Sequence, residues 1–248
     1  MNFHRFISSK KSFLTSGLLN DATDIHCHIL PGVDDGVSSY KKAVQSLCWL
    51  KSYGFGRIYL TPHVMSDFSK NTYGYLSEQF DVFINRLKDE KITDIPEIKL
   101  SAEYMLDATF ERWKENGLHT YAGRHVLVET SYITPPLGFT NLLENLLENS
   151  YTPILAHPER YLYMDMKDYT LLKEQGVKFQ LNFTSIVGVY GLIVKEKAEQ
   201  LLKEDFYDYT GSDFHHLSYH SDAIRIQKLT KSQIDQLRRL FQNNHQLW

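Results

Sequence analysis

Histidines and carboxylates recur in this chain where a metal-binding site would need them. Asp24-Ile25-His26-Cys27-His28 is followed by Pro31-Gly32-Val33-Asp34-Asp35-Gly36. Farther along come Thr61-Pro62-His63, Ser101-Ala102-Glu103, Val128-Glu129-Thr130, Ala156-His157-Pro158-Glu159-Arg160 and Gly211-Ser212-Asp213-Phe214-His215-His216. Side chains at i and i+2 of a strand point to the same face, so His26 and His28 can reach one ion, and Asp213 and His215 repeat the device. The candidate ligand set is His26, His28, Asp35, His63, Glu103, Glu129, His157, Asp213 and His215. Nine groups exceed what one ion takes, so two or three divalent cations sharing bridging carboxylates is the natural count. Imidazole and carboxylate without thiolate suit zinc, manganese or iron and argue against a closed structural zinc site.

Each piece alone has a plainer reading. A lone His-x-His is weak, Thr61-Pro62-His63 reads as a capped loop, and His157 with Arg160 reads as a hydrogen-bonded corner. Their coincidence at the ends of successive apolar runs is what those readings do not explain, because charged groups are rarely buried unless paired or metal-bound. His4, His119, His125 and His245 fall at the terminus or in loop-like positions and are expected in solvent. His216 and His220 lie near the constellation as candidates for supporting or substrate contacts. A cysteine-based phosphate loop needs an arginine six positions after the nucleophile. Val33 follows Cys27 and Gly54 follows Cys48 at that distance, so that chemistry is absent. No Gly-x-x-x-x-Gly-Lys-Ser/Thr phosphate loop is present either.

The elements that must position these groups recur as a unit: an apolar run, a polar or Gly/Pro loop, then helical spacing. Strands are expected at Thr23–Ile29, Arg57–Thr61, Ile98–Ala102, His125–Glu129, Pro153–Ala156, Lys178–Asn182 and Tyr207–Gly211. Ala43, Val44, Leu47, Cys48 and Leu50 form an apolar stripe that Ser38 or Ser39 can cap and Gly54 can end. Further helices are expected at Tyr75–Lys88, Thr140–Glu148, Tyr169–Glu174, Val194–Lys203 and Ser232–Gln242. Seven strands alternating with helices imply parallel βα units, closed into a barrel or doubly wound. Six of the seven strands end in an imidazole or carboxylate, and the carboxyl ends of such strands are where ligands gather.

The 248 residues suffice for one such domain. Residues 1–22 are read as an N-terminal extension and 23–248 as the single domain. With 42% hydrophobic and 23% charged residues the chain reads as soluble and globular. A net charge of −3 gives no nucleic-acid footprint, so any attraction to an anionic ligand must come from local charge. Two cysteines without metal or disulfide spacing fit a reducing cytoplasm. No apolar run approaches a signal peptide or membrane span. Bulky side chains at Phe68, Tyr73, Tyr132, Phe139, Phe183 and Tyr190 would either frame a substrate ring or pack loops.

These motifs resemble the polymerase-and-histidinol-phosphatase (PHP) superfamily. Within it, the likeness is to the bacterial metal-dependent protein-tyrosine phosphatases of capsule and exopolysaccharide gene clusters. It spans Asp24 to His216 in order, and its most specific pieces are His-x-His with Val33-Asp34-Asp35-Gly36 and Ala156-His157-Pro158-Glu159-Arg160. The resemblance implies a distorted seven-stranded (β/α) TIM-like barrel with a trinuclear site, usually run with manganese. It implies a first metal on His26, His28, Glu103 and Asp213, a second on Glu103, Glu129 and His157, and a third on Asp35, His63 and His215. It further implies that water deprotonated on the cations attacks phosphorus while Arg160 binds the phosphate. The implied substrate is a phosphotyrosine protein, a membrane-associated tyrosine autokinase that regulates polysaccharide synthesis. Histidinol-phosphate phosphatase, another phosphoesterase, or a non-catalytic phosphopeptide binder are the alternatives on the same scaffold.

Two stretches depart from that family. Its tyrosine phosphatases carry further arginines after the second-strand histidine and after the last one. Here those stretches read Val64-Met65-Ser66-Asp67-Phe68 and Leu217-Ser218-Tyr219-His220, without arginine. The departure bears on substrate affinity more than on metal chemistry.

Overall fold

The computed structural model describes residues 11–217, 224–225 and 228–248; His4 and His220 lie outside them. A short strand, β1 (Lys11–Ser12), leads into one helical turn, α1 (Phe13–Ser16), whose Ser12 and Thr15 form a reciprocal cap. The stretch read from sequence as an extension is built into the fold from Lys11 onward. Phe13 is fully buried, with its ring 5.2 Å from that of Phe183.

Parallel strands then alternate with helices. β2 (Ala22–Asp24) precedes α2 (Tyr40–Ser52), which buries Ala43, Ser46, Leu47 and Leu50 at the i, i+3, i+4, i+7 spacing of one helix face. Ser39 is its N-cap residue without a side-chain bond, and Gly54 beyond its end takes φ +108°, open only to glycine. β3 (Phe55–Leu60) and β4 (His63–Val64) flank Thr61-Pro62. The expected strand Arg57–Thr61 is observed as β3, while β4, beyond Pro62 with its missing N–H, was not expected. α3 (Tyr73–Asp89) is capped by Thr72. β5 (Glu97–Leu100) and β6 (Glu103–Met105) flank Ser101-Ala102, and α4 (Phe110–Glu115) follows. The remaining units are β7 (His125–Glu129) with α5 (Phe139–Glu148), then β8 (Thr152–Ala156) with α6 (Met166–Glu174). β9 (Lys178–Asn182) pairs with α7 (Leu192–Lys203), and β10 (Tyr209–Gly211) is the last parallel strand. β11 (Lys228–Leu229) runs antiparallel to β1, and α8 (Lys231–Asn244) closes the chain behind a Thr230–Gln233 capping box.

Six strands run in the order β10-β9-β8-β7-β6-β4 and three in the order β2-β3-β5, every neighbour pair parallel. Backbone hydrogen bonds extend these ladders past the strand ends and link the β2 side to the β10 side. Thr61 N–H reaches Cys27 O, Glu103 N–H reaches Pro62 O, and His28 N–H reaches Phe214 O. Cys27 and Phe214 also form a parallel bridge, joining the segment after β2 to the segment after β10.

Strand alternation sorts the core. Leu127, Ile154 and Ala156 belong to an inner cluster with Ile25, Tyr59, Tyr121, Tyr209 and Leu247. Their neighbours Val126, Val128 and Leu155 join the outer cluster beneath the helices. Glu129, two residues past Leu127, therefore shares the inner face at the carboxyl end of its strand. Among the described residues no helix is long and apolar enough to cross a membrane.

Candidate metal centre

Eight of the nine candidate ligands come together at the carboxyl ends of the strands, in three overlapping groups. They are His26, His28, Glu103 and Asp213; then His28, Asp35, His63 and His215; then His63, Glu103 and Glu129. Five of the six donor separations in the first group are nearly equal. His26 Nε2 lies 3.2 Å from His28 Nε2, 3.2 Å from Glu103 Oε2 and 3.4 Å from Asp213 Oδ1. His28 Nε2 lies 3.3 Å from Glu103 Oε2 and 3.5 Å from Asp213 Oδ1. Bonds of about 2.1 Å to a central cation give tetrahedral edges of about 3.4 Å, and these five separations match that spacing.

Three buried atoms support the same fit. His63 Nδ1, Glu103 Oε2 and Glu129 Oε1 have no hydrogen-bond partner among the described residues. His63 Nδ1 nonetheless sits 2.9 Å from Glu129 Oε1 and 3.1 Å from Glu103 Oε2. Buried polar atoms that converge without aligned bonds are costly unless a cation completes them. His157 stands slightly apart from these groups: its Nε2 faces Glu103 Oε1 at 3.0 Å. His63 spans two groups, because its Nε2 reaches toward Asp35 Oδ1 at 3.6 Å. His215 Nε2 is also 3.6 Å from that oxygen.

Local backbone chemistry explains the placement. Gly36 touches His28 so closely that an added Cβ would lie 2.2 Å from His28 O. A Cβ on Gly211 would lie 2.6 Å from that of His26. Those two glycines let the ligand loops press against the His-x-His strand. His157 (φ 33°) and Asp213 (φ 52°) adopt left-handed backbone, rare for residues with a Cβ and a mark of functional constraint. Glu159 is buried and accepts bonds from Asn182 N–H and the hydroxyls of Ser185 and Tyr207. It anchors the turn that aims Arg160 at the cluster.

Supporting side chains turn the imidazoles. His28 Nδ1 donates to Asp34 Oδ2 at 2.9 Å, and His26 Nδ1 donates to Gln180 Oε1 at 2.9 Å. His215 Nδ1 donates to Asp213 O at 3.0 Å. With Nδ1 protonated and occupied, Nε2 is left as the donor atom facing the cluster. Asp34 and Gln180 were missed from sequence. Asp34 could have been flagged by its place beside Asp35, whereas Gln180 gives no signal.

The electrostatics call for positive charge. Burial alone would lower His26, but Glu103 and Asp213 push it up to about 9. Burial likewise opposes a charged His215, yet the Asp35 bond and Asp213 raise it to about 9. His63 is carried well above its usual value against burial, by Glu129 and Glu103. Burial would raise Glu103, but His26 and His63 hold it well below the carboxylate range. The His215 bond brings Asp35 down to about 2. The carboxylates keep protons on imidazoles, and a divalent cation would take those protons' place.

A cavity of about 290 Å³ opens onto the centre, floored by Asp35, His63, Glu129, Asp213 and His215. Arg160 flanks it, while Met65, Phe68, Met105 and Tyr132 form its walls. Of the bulky residues singled out from sequence, Phe68 stacks on His63, and Tyr132 and Tyr190 cover Arg160. Phe139 and Phe183 are buried packing. His119, expected in solvent, is buried and stacked on Tyr73 because its loop folds back onto α3. His125 is half-buried, and His245 Nδ1 lies 3.0 Å from the Thr23 hydroxyl. His216 is exposed beside the centre.

Comparisons with known proteins bear on the family and the fold. Residues 22–246 match the family described as Capsular polysaccharide synthesis, CpsB/CapC. The chain is 28% identical over 203 residues to the tyrosine-protein phosphatase YwqE of Bacillus subtilis, covering 78% of this chain and 77% of that one. It is also 28% identical over 203 residues to the tyrosine-protein phosphatase CpsB of Streptococcus pneumoniae, covering 78% and 83%. A chain from the crystal structures of YwqE and CpsB, called unique metal-dependent tyrosine phosphatases, superposes with a TM-score of 0.71. At 22% identity, over 89% of this chain and 94% of that one, the superposition shows a shared fold.

Proposed function

The chain belongs to the CpsB/CapC family of capsular polysaccharide synthesis, and on that footing we propose that it is a metal-dependent protein-tyrosine phosphatase. The observation that carries the reading is one cluster in which closely spaced imidazole and carboxylate donors and orphaned buried atoms stand beside an arginine at a cavity mouth. The finer parts are also proposals. The strands, with β3–β4 and β5–β6 each counted as one interrupted strand, form a distorted seven-stranded barrel. His26, His28, Glu103 and Asp213 hold a first cation; Glu103, Glu129 and His157 a second; Asp35, His63 and His215 a third. The ion is manganese, with zinc and iron as substitutes that the donor set also accepts. The substrate is a phosphotyrosine protein in the cytoplasm, a membrane-associated tyrosine autokinase.

When bound, such ions supply Lewis acidity toward phosphoryl oxygens and a nucleophile drawn from water near neutral pH. The rest falls to the chain. Asp34 and Gln180 fix the tautomers of His28 and His26, so the donor atoms need no reorganisation. Arg160 keeps one N–H on Asp213 Oδ2 at 2.9 Å and turns its remaining donors toward the cavity, where its planar fork suits phosphate. Phe68 and Tyr132 wall the cavity with ring faces suited to an aryl group. A phenol with a pKa of about 10 leaves more readily than an alkyl alcohol, so the reaction needs little general acid.

The test is phosphate release from a phosphotyrosine peptide by chelator-treated protein, with and without manganese, beside histidinol phosphate. Manganese-dependent release with the peptide preferred is expected, and its loss in a His26→Ala/His28→Ala protein. Turnover that survives both chelation and that double substitution would refute the reading. Preference for histidinol phosphate would move the chain to the other phosphatase class.

A further inference from the structure

Arg160 is the single arginine or lysine among the described residues lining the cavity, so its placement carries the fixed positive charge there. Its guanidinium packs against two phenol rings, with Cζ 4.2 Å from the centre of the Tyr132 ring and 4.5 Å from that of Tyr190. Each of those tyrosines also reaches a candidate ligand. Tyr132 Oη donates to Glu129 Oε2 at 3.3 Å, and Tyr190 Oη donates to Asp213 Oδ2 at 3.2 Å. In both carboxylates the bonded oxygen is the outer one. The inner oxygens face the centre: Glu129 Oε1 toward His63, and Asp213 Oδ1 toward His26 and His28. Asp213 Oδ2 takes bonds from Arg160 and Asn182 as well, so that carboxylate has little freedom to turn.

We propose that Tyr132 and Tyr190 are a clamp, their rings fixing Arg160 for phosphate and their hydroxyls fixing Glu129 and Asp213 for metal. The proposal rests on the phosphatase reading for its phosphate arm, while its metal arm stands on geometry alone. An arginine side chain has several free torsions, and contact with two ring faces restricts them before substrate arrives. A ligand carboxylate whose outer oxygen is tied presents its inner oxygen in one direction. Core packing does not account for the pair: Tyr132 is 41% exposed and Tyr190 half-buried. Both are positioning residues.

The experiment compares Tyr132→Phe, Tyr190→Phe, Tyr132→Leu and Tyr190→Leu in the full chain. Manganese affinity is read by titrating chelator-treated protein, and inorganic phosphate affinity by calorimetry on manganese-saturated protein. The phenylalanine variants keep the rings and lose the hydroxyls, so manganese binding weakens about 10-fold while phosphate binding stays within about 2-fold of wild type. The leucine variants lose the rings too, and phosphate binding falls roughly 10-fold below that of the matching phenylalanine variant. Phenylalanine variants that bind manganese like wild type overturn the proposal. So do leucine variants that hold phosphate as tightly as the phenylalanine ones. Because phenylalanine preserves the packing, its manganese arm decides even where a leucine variant does not fold. A wild type that binds both probes yet hydrolyses no aryl phosphate would count against the phosphatase reading and leave the clamp to these titrations.

Discussion

Replacing Asp34 tests whether the centre is held by its supporting hydrogen bonds. The Asp34 side chain is fully buried and makes three contacts: Oδ2 to His28 Nδ1 at 2.9 Å, Oδ2 to His63 N–H at 3.0 Å, and Oδ1 to Gly36 N–H at 3.0 Å. Asp34→Ala frees the His28 ring and leaves two backbone N–H groups without an acceptor. Each orphaned donor costs about 1–3 kcal/mol, and loss of a ligand's supporting partner costs about 10–100-fold in metal affinity. Asp34→Asn is gentler. Its amide oxygen can take the Oδ2 position and keep the His28 and His63 bonds, so only the Gly36 contact and the charge are lost. The expected order of manganese affinity is wild type, then Asn about 10-fold weaker, then Ala about 100-fold weaker. Calorimetric titration of chelator-treated protein reads it, with thermal melts confirming the fold. Asp34→Ala binding manganese at wild-type affinity would refute the reasoning.

Three further outcomes follow. In metal-free protein His26 and His215 are raised to about 9, above the unfolded value near 6.5. Their stabilisation is therefore full below about pH 6.5 and lost as pH rises through 9. Melting of chelated protein should fall between pH 7 and 10, and manganese added at pH 7 should release protons to a weakly buffered solution; a flat melting profile contradicts this. Gly36→Ala must displace His28 or its own loop and should cost about 3 kcal/mol with loss of metal. Gly74→Ala, in α3 with nothing within 4 Å of the added Cβ, should stabilise by about 0.5–1 kcal/mol, both read by urea denaturation. Arg160→Ala should keep its metal content and lose about 100-fold or more in kcat/KM for an aryl phosphate, checked by steady-state kinetics beside elemental analysis.

The ligands were legible because imidazoles and carboxylates at the ends of apolar runs have few other reasons to be there. The helices were legible where an apolar stripe persisted, as in α2 and α8. α4 was not, because six residues with Phe110 and Trp113 buried carry too little periodicity. The strand breaks at Thr61-Pro62 and Ser101-Ala102 depend on how the sheet turns, which pattern alone does not encode. Asp34 and Asp35 are adjacent in a loop, and only the folded turn sends Asp34 to His28 and Asp35 toward His63 and His215. Gln180 reads as an ordinary strand residue until its bond to His26 is seen. The left-handed backbone of His157 was hidden too, since a residue before proline ordinarily extends.

Diffraction from manganese-soaked crystals, with anomalous differences collected at the manganese edge, tests the centre most directly. Peaks are expected among His26, His28, Glu103 and Asp213, with further density beside Glu129 and His157 and beside Asp35, His63 and His215. A map with no peak among these side chains at saturating manganese would contradict the account.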